Sequence, residues 1–212
     1  AWCSGMYALA MLTKLLACTT LIAVTGCGST SKPLFNGRNL DGWAKVGGGA
    51  TYTVEHGEIV GTRGPGPNTF LRTTDMYGDF ALELEFRWDQ AINSGVQFRS
   101  RQREGDERVT GYQCELDHSD RRWTGGIYDE AGRGWLAPLK DDPAAMAAVT
   151  SIYEWNTLRV EAVGNRLRTW VNGVPCADLM DKQDAEGFIA LQVHGSADPG
   201  QVRWRRIRLT EQ

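Results

Sequence analysis

Three polar residues with acid–base or hydrogen-bonding side chains occupy alternate positions in one short segment of the chain. Gln113, Glu115 and Asp117 alternate with apolar residues between Tyr112 and Asp117. Successive side chains of a β-strand point to opposite faces, so these three groups share one face. Residues two apart on a strand lie about 6.6 Å apart, from a rise of about 3.3 Å per residue, which suits the two carboxylates of a glycosidase. The segment therefore predicts chemistry on a polyhydroxylated ligand.

Two further segments repeat this alternation with hydrogen-bonding groups. Gln97 and Arg99 oppose apolar neighbours in one segment, and Gln192 and His194 do so in another. The polar face of an antiparallel sheet is ordinary when it carries only generic polar residues. An arginine, a histidine, two carboxylates and three amides on strand faces are not a solubility pattern. If these strands share a sheet, we expect one face to bind a ligand and to exchange protons with it.

Aromatic residues follow the acidic segment in a loop-rich stretch. Trp123, Tyr128 and Trp135 can supply flat surfaces against which a sugar ring packs. The alternative is that they cap the hydrophobic core, as tryptophan side chains usually do. Trp123 and Tyr128 are taken as candidate ligand-binding residues.

The elements that must position these residues are strands. The composition, with 25 Gly, 7 Pro, 8 Trp and 6 Tyr, favours short strands joined by tight turns. His56-Gly57 and Asn172-Gly173 predict hairpin turns. From Leu82 to Trp88, apolar residues alternate with charged ones. Pro143–Val149, preceded by two aspartates, predicts a helix in a loop. The sequence therefore predicts an all-β sandwich or barrel with one short helix.

Charge excludes one class of partner. Lys and Arg number 23 against 26 Asp and Glu, so the formal net charge of the 212 residues is −3. A protein that holds a nucleic-acid backbone needs a cationic surface. We therefore expect no nucleic-acid partner.

The beginning of the chain predicts export. Lys14 is followed by an apolar run from Leu15 to Val24, which is too short to span a bilayer, since about 20 residues are needed. Val24-Thr25-Gly26-Cys27 resembles a bacterial lipobox, although Leu is usual at the position of Val24. We expect residues 1–26 to be a leader and signal peptide, 27–33 a tether and 34–212 the folded domain. Cys27 would carry the lipid that anchors the protein to the membrane in the cell envelope; the alternative is a secreted soluble protein.

Two cysteines remain in the predicted domain. Cys114 and Cys176 would form one disulfide or remain as small buried apolar residues, and the second alternative is favoured. No cysteine pair has the spacing of a metal site.

The order of several motifs resembles one known family. The chain is similar to the 3-keto-disaccharide hydrolase family, which is related in fold to concanavalin A-like lectins and glucanases. The similarity runs through nearly all of the predicted domain and includes Leu34–Gly37, Leu40–Trp43, Glu85–Arg87, Asn93–Val96, Gly111–Asp117, Gly126–Tyr128, Glu154–Asn156, Val171–Gly173, Gly187–Gly195 and Val202–Leu209.

This resemblance implies a jelly-roll β-sandwich of two antiparallel sheets, whose concave sheet holds the ligand. It also implies cleavage of glycosides in which C3 of the sugar has been oxidised to a ketone. The ketone acidifies the proton on C2, so a base removes it and the substituent on C1 leaves; water then adds, for a net hydrolysis. Such a reaction needs a base, an acid for the departing oxygen and a group that stabilises an enolate.

The resemblance and the strand positions together suggest roles for individual residues. Glu115 or His194 is the expected base or acid, and Asp117 is its partner. The expected binders of hydroxyl groups or of the enolate oxygen are Glu85, Gln97, Arg99, Gln113 and Gln192.

Two alternatives remain open. Glu115, Asp117 and Asp120 resemble the E-x-D-x-x-E motif of laminarinase-type retaining glucanases, with Asp120 where Glu is expected. The other alternative is a carbohydrate-binding module without catalysis.

No cofactor is predicted, but a structural calcium ion is an open alternative because concanavalin A-like folds often bind one. Asp117, Asp120, Asp129 and Glu130 carry suitable oxygens, without the fixed spacing of an EF-hand loop.

Overall fold

A computed structural model describes residues 1, 30–103, 105 and 108–212 of the chain. Within these residues the fold is all-β, with two antiparallel sheets and one short helix, which confirms the predicted fold class. The predicted signal segment and Cys27 lie outside the described residues. Among the described residues, no helix has the length and apolar character needed to cross a membrane.

The first sheet, called here the back sheet, has the strand order β13-β12-β11-β6-β15-β4-β3, and β1 also pairs with β15. Its strands are β1 (Ser31–Pro33), β3 (Thr51–Glu55), β4 (Glu58–Thr62), β6 (Phe80–Gln90), β11 (Asn156–Val163), β12 (Arg166–Val171), β13 (Val174–Met180) and β15 (Gln201–Glu211). Because Ser31–Pro33 pairs with Arg208–Thr210, these residues of the predicted tether belong to the sheet.

The second sheet, called here the cleft sheet, has the order β10-β9-β8-β7-β14-β5-β2. Its strands are β2 (Trp43–Gly47), β5 (Thr69–Thr73), β7 (Ser94–Gln102), β8 (Val109–Leu116), β9 (Ile127–Glu130), β10 (Gly134–Ala137) and β14 (Phe188–Val193). The helix α1 spans Pro143–Met146 and is shorter than predicted. The Asp142 side chain caps it by accepting a hydrogen bond from the Ala145 amide at 2.9 Å.

Alternation along the strands places the core between the two sheets. In β6, the residues Phe80, Leu82, Phe86 and Trp88 are fully buried, whereas Glu83 points to solvent. The core-facing residues of β7 and β8 (Val96, Phe98, Tyr112 and Cys114) alternate with Gln97, Gln113 and Glu115. The packing of the core thus fixes which face of the cleft sheet carries the polar groups.

Both predicted hairpin turns form. His56 and Gly57 have φ angles of 52° and 82°, and Asn172 and Gly173 have φ angles of 50° and 79°. Two successive positive φ angles are those of a type I′ turn, which matches the twist of the flanking strands. Cys114 and Cys176 are free thiols in this structure, as the favoured alternative expected.

Candidate active site

A polar cavity of about 260 Å³ opens on the exposed face of the cleft sheet. Four neighbouring strands, β9, β8, β7 and β14, form its floor. The residues that line it are Asn68, Asn93, Gln113, Glu115, Arg121, Tyr128, Glu130, Trp135, Gln192 and His194. Five of the residues predicted from the sequence are therefore brought together here, namely Gln113, Glu115, Tyr128, Gln192 and His194.

Amide side chains connect the floor of the cavity to Glu115. The Ser100 hydroxyl donates to Gln97 Oε1 at 2.8 Å, and Gln97 Nε2 donates to Gln113 Oε1 at 2.9 Å. Gln113 Nε2 then donates to Glu115 Oε2 at 2.7 Å. Gln97 thus lies beneath the lining and orients Gln113, and every donor in this relay points toward the carboxylate.

Glu115 is a buried carboxyl group with an unusual proton affinity. Its side chain is 5% exposed, and Oε1 accepts a short hydrogen bond from Asn93 Nδ2. Burial raises the pKa of Glu115 to about 7, although the hydrogen bonds from Asn93 and Gln113 lower it. The carboxyl therefore changes its protonation state near neutral pH instead of being fully ionised there.

Arg121 is the permanent cation of the cavity lining. Its Nη2 lies 3.8 Å from Glu115 Oε1, and its Nε donates to Asp117 Oδ2 at 2.7 Å. The guanidinium lies 5.0 Å from the ring centre of Trp123 and 5.1 Å from that of Trp135. A carboxylate and two aromatic rings thus hold one positive charge beside Glu115.

The predicted role of Asp117 as a cleft carboxylate is not supported by its position. β8 ends at Leu116, and the Asp117 side chain accepts hydrogen bonds from the Ser119 amide and from Arg121. These bonds keep the pKa of Asp117 below its usual range despite its burial. Since the alternation stops with the strand, Asp117 positions Arg121 instead of lining the cavity.

The acids of the laminarinase-type motif could face one ligand together only if β8 continued beyond Leu116. Asp120 is exposed and lies in a turn in which the Arg122 amide donates to the Ser119 carbonyl at 2.9 Å. Asp117 and Asp120 are both absent from the cavity lining. The three acids of this motif therefore do not converge on one ligand.

Arg99 does not bind in the cleft, contrary to the prediction. A β-bulge between Phe98 and Arg101 interrupts the pairing of β7 with β8, and Arg99 itself has a φ of 46°. Its side chain, 1% exposed, donates to the carbonyls of Gly78 and Gly164 and to the carboxylate of Asp79. The extra residue of the bulge turns Arg99 away and brings Ser100 to the face of Gln97.

Glu85 does not line the cleft either, because β6 belongs to the back sheet. Its carboxylate accepts from Arg205 Nε at 2.6 Å and from Arg206 Nη1 at 2.7 Å, on the outer surface of that sheet. Trp123 is absent from the lining but packs edge-to-face on Trp135, with ring centres 4.8 Å apart. Trp123 therefore contacts two lining residues, Trp135 and Arg121, but not the cavity itself.

Glu130, Asn68 and Asn93 were not predicted as ligand-binding residues. Glu130 accepts from Asn68 Nδ2 at 3.0 Å and from Gln192 Nε2 at 3.4 Å, and burial raises its pKa. Four strand spacings separate β9 from β5, about 19 Å in a flat sheet. The contact between Glu130 and Asn68, which directly precedes β5, therefore shows that the sheet curls. The alternation of Tyr128 and Glu130 along β9 was the sequence pattern that could have predicted Glu130 as a lining residue.

Gln192 presents an unsatisfied acceptor. Its side chain is buried, and Oε1 has no hydrogen-bond partner among the described residues. A buried polar atom without a partner costs about 1–3 kcal/mol. A ligand hydroxyl that donates to this oxygen would recover that free energy.

His194 follows β14 at the exposed rim of the cavity. Partial burial and the nearby Arg63 lower the pKa of its imidazole. Since the ordinary value is about 6.5, His194 is mostly neutral at pH 7. It can therefore accept a proton or bind a hydroxyl group.

The four acidic residues considered as calcium ligands do not form one site. Asp117 pairs with Arg121 and Asp129 pairs with Arg133, while Asp120 lies in the exposed turn. In the part of the chain that the structure describes, no cluster of three or more His, Cys, Asp or Glu side chains is arranged to hold a metal ion.

Gly95 provides space for the amide relay. A Cβ atom at this position would lie 2.4 Å from Gln113 Cδ. We expect Gly95→Ala to displace Gln113 from Glu115 and so to remove a hydrogen bond that lowers the pKa of Glu115. The pH dependence of any activity that needs the carboxylate should then move to higher pH by about one unit, which initial rates between pH 5 and 9 would measure. An unchanged profile would exclude the relay as an influence on Glu115.

A curled antiparallel sheet with carboxylates, amides and aromatic rings on its concave face is typical of β-sandwich proteins that bind carbohydrates. The chain belongs to the 3-keto-alpha-glucoside-1,2-lyase-like domain family, whose model matches residues 30–210. A comparison with curated proteins gives no significant match.

Solved structures share the fold. A candidate glycosyl hydrolase from Parabacteroides distasonis is 19% identical, with a TM-score of 0.63 over 86% of this chain and 94% of that one. A Bacillus subtilis protein of unknown function with a galectin-like fold is 12% identical, with a TM-score of 0.62 over 86% and 94% of the two chains. The carbohydrate-binding module CBM66 from Bacillus subtilis is 16% identical, with a TM-score of 0.60 over 80% and 96%.

Proposed function

We propose that the protein cleaves glycosides whose sugar carries a ketone at C3, by elimination across C1 and C2 followed by addition of water. The observation that carries this proposal is Glu115, a buried carboxyl with a pKa of about 7 beside a fixed guanidinium. Removal of a proton from the carbon next to a ketone requires a positioned base, which is most effective when its pKa lies near the operating pH. Family membership supports the same substrate class.

Glu115 is the proposed base for the C2 proton. Removal of this proton forms an enolate at the C3 oxygen, whose charge Arg121 stabilises from its position beside Glu115. Collapse of the enolate forms the C1–C2 double bond and breaks the C1–oxygen bond. The electron pair of that bond leaves with the departing oxygen.

Glu130 is the proposed acid for the departing oxygen. Burial raises its pKa, so that it holds a proton to a higher pH than an ordinary glutamate. His194, which is mostly neutral, is better suited to take a proton from the water that adds to C1. The proton on Glu115 exchanges with solvent, and Glu115 then donates a solvent-derived proton to C2 in this addition. The proton taken by His194 passes through solvent to Glu130, so the sum of both steps is hydrolysis and all three groups are restored.

A carbohydrate-binding module without catalysis is the second candidate. The unsatisfied Gln192 oxygen and the rings of Tyr128 and Trp135 are sufficient to bind a sugar. Binding alone gives no reason for a carboxyl held at a pKa of about 7, because desolvating it costs stability.

The test is a panel of native and 3-keto-glucosides incubated with the protein in D2O, with products followed by mass spectrometry. We expect turnover of the 3-keto-glucosides alone, with one deuterium gained at C2. A sample without protein gives the rate of spontaneous exchange at the ketone. Turnover with the C2 proton retained would exclude elimination, and binding without any turnover would favour the second candidate.

The export and lipid anchoring expected from residues 1–27 are part of the same proposal. A lipid on Cys27 would hold the domain at the cell envelope. Metabolic labelling with a palmitate analogue, compared with Cys27→Ser, would test it; loss of the label in this variant is the expected result.

A further inference from the structure

A second cavity of about 330 Å³ lies next to the polar one. Among its lining residues are Gly47, Pro67, Phe70, Val109 and Ala131. Apolar atoms form most of its wall, which Arg108 also lines, whereas the first cavity is lined by carboxylates, amides, aromatic rings and the guanidinium of Arg121.

A hydrogen-bonded ridge separates the two cavities. Asn68 and Glu130 line both of them and are joined by the 3.0 Å bond from Asn68 Nδ2 to Glu130 Oε1. Asn68 is held in turn by the Gly195 amide, which donates to its Oδ1 at 3.0 Å. The ridge is therefore fixed from both sides, and the proposed acid Glu130 lies at the boundary.

The polar and the apolar walls come from the same strands. Along the concave face of β8, Val109 and Gly111 precede Gln113 and Glu115, so the face changes from apolar to acidic within eight residues. β14 repeats the change, from Phe188 and Ala190 to Gln192. Phe70, Val109, Phe188 and Ala190 form one buried cluster. The curled sheet thus offers a polar half and an apolar half to a single ligand.

We propose that the apolar cavity binds an apolar aglycone, a cyclic or aromatic alcohol, whose sugar occupies the polar cavity. This inference rests on the proposed function. The glycosidic oxygen then lies at the ridge, where Glu130 can protonate it. An apolar cavity of about 150 Å³ is enough to hold benzene, so the second cavity has room for one substituted ring. Burying the ring stabilises the complex in proportion to the apolar area removed from water.

Two 3-keto-glucosides of the same anomeric configuration test the inference, one with methanol and one with cyclohexylmethanol as the aglycone. Both release a primary alcohol, so the comparison reports mainly on binding. We expect kcat/KM for the cyclohexylmethyl compound to be at least about 10-fold higher, mostly through KM. Equal values would overturn the inference and leave the proposed function intact, whereas turnover of neither compound would overturn both.

A substitution in the apolar cavity tests whether the aglycone binds there. Val109→Thr keeps the shape of the side chain and adds a hydroxyl to the apolar wall. We expect the ratio of kcat/KM for the cyclohexylmethyl compound to kcat/KM for the methyl compound to fall at least about 3-fold. Val160→Thr, which buries the same hydroxyl in the core away from both cavities, is the matched control and should keep the preference. A preference that survives Val109→Thr in a folded protein would place the aglycone elsewhere.

Discussion

Glu115→Gln should lower kcat for a 3-keto-glucoside by at least about 100-fold, the lower end of what a positioned acid–base group contributes. The substitution keeps the volume of the side chain but removes the carboxylate that takes the C2 proton. In the native protein, kcat/KM should rise with pH through about 7, because only the ionised form of Glu115 is a base. Initial rates of both proteins between pH 5 and 9 measure the two effects together.

Glu85→Gln is the matched control, since it neutralises a glutamate on the opposite surface of the molecule. Its turnover should stay within about twofold of the native value. Near-normal turnover in Glu115→Gln would remove this residue from the mechanism. Equal losses in both variants would indicate a general effect on folding.

The raised pKa of Glu115 also makes the free energy of unfolding depend on pH, and this effect can be measured without any activity assay. The unfolded chain ionises near the ordinary value of 4.5 and the folded protein near 7. The contribution of this group to stability is therefore fully present below about 4.5 and is lost as the pH rises to about 7. Glutamine does not titrate, so the Glu115→Gln protein does not lose this stability. Between pH 4 and 8, its free energy of unfolding should therefore rise relative to that of the native protein.

Arg99→Leu should reduce the free energy of unfolding by about 2–4 kcal/mol, because it removes the hydrogen bonds that the buried Arg99 guanidinium donates to the carbonyls of Gly78 and Gly164. Asp79 is 43% exposed and can bind water instead, so it adds little to the loss. Urea denaturation followed by tryptophan fluorescence measures the change. Arg99→Lys should recover only part of the stability, since an ammonium group cannot reproduce the planar array of donors.

Arg38→Ala, at an exposed position, serves as the control and should change stability by less than about 0.5 kcal/mol. A stable Arg99→Leu protein with impaired ligand binding would restore the sequence-based role of Arg99 in the cleft.

The polar face of β8 was predictable because it depends only on local alternation. Gln113 and Glu115 share a face with each other and oppose the core residues Tyr112 and Cys114, as a period of two requires. The hairpin turns were predictable for the same reason, since two adjacent residues determine each of them.

The bulge at Arg99 and the end of β8 at Leu116 were not predictable, because neither break has a glycine or proline at the position itself. The glycines that accommodate the bulge, Gly111 and Gly187, lie elsewhere in the sequence. The position of Glu130 depends on the curl of the sheet, which brings β9 close to the segment before β5. Such long-range geometry arises from the packing of two sheets and has no signature in a short window of sequence. The prediction that Glu85 binds ligand was wrong for the same reason, since one sequence cannot show to which sheet β6 belongs.

The hydrogen bonds to Glu115 have a stereochemical consequence. Both of its oxygens accept from N–H donors, from Asn93 on one side and from Gln113 on the other. A proton taken up by this carboxyl finds no acceptor in those two amide nitrogens, so it is directed toward the cavity, where it exchanges with solvent before hydrogen is returned to the ligand. Since the sheet forms the floor of the cavity, one group then removes and returns hydrogen on the same side of the sugar ring. Deuterium from D2O should therefore enter C2 with retention of configuration, and the product should contain none of the C2 epimer.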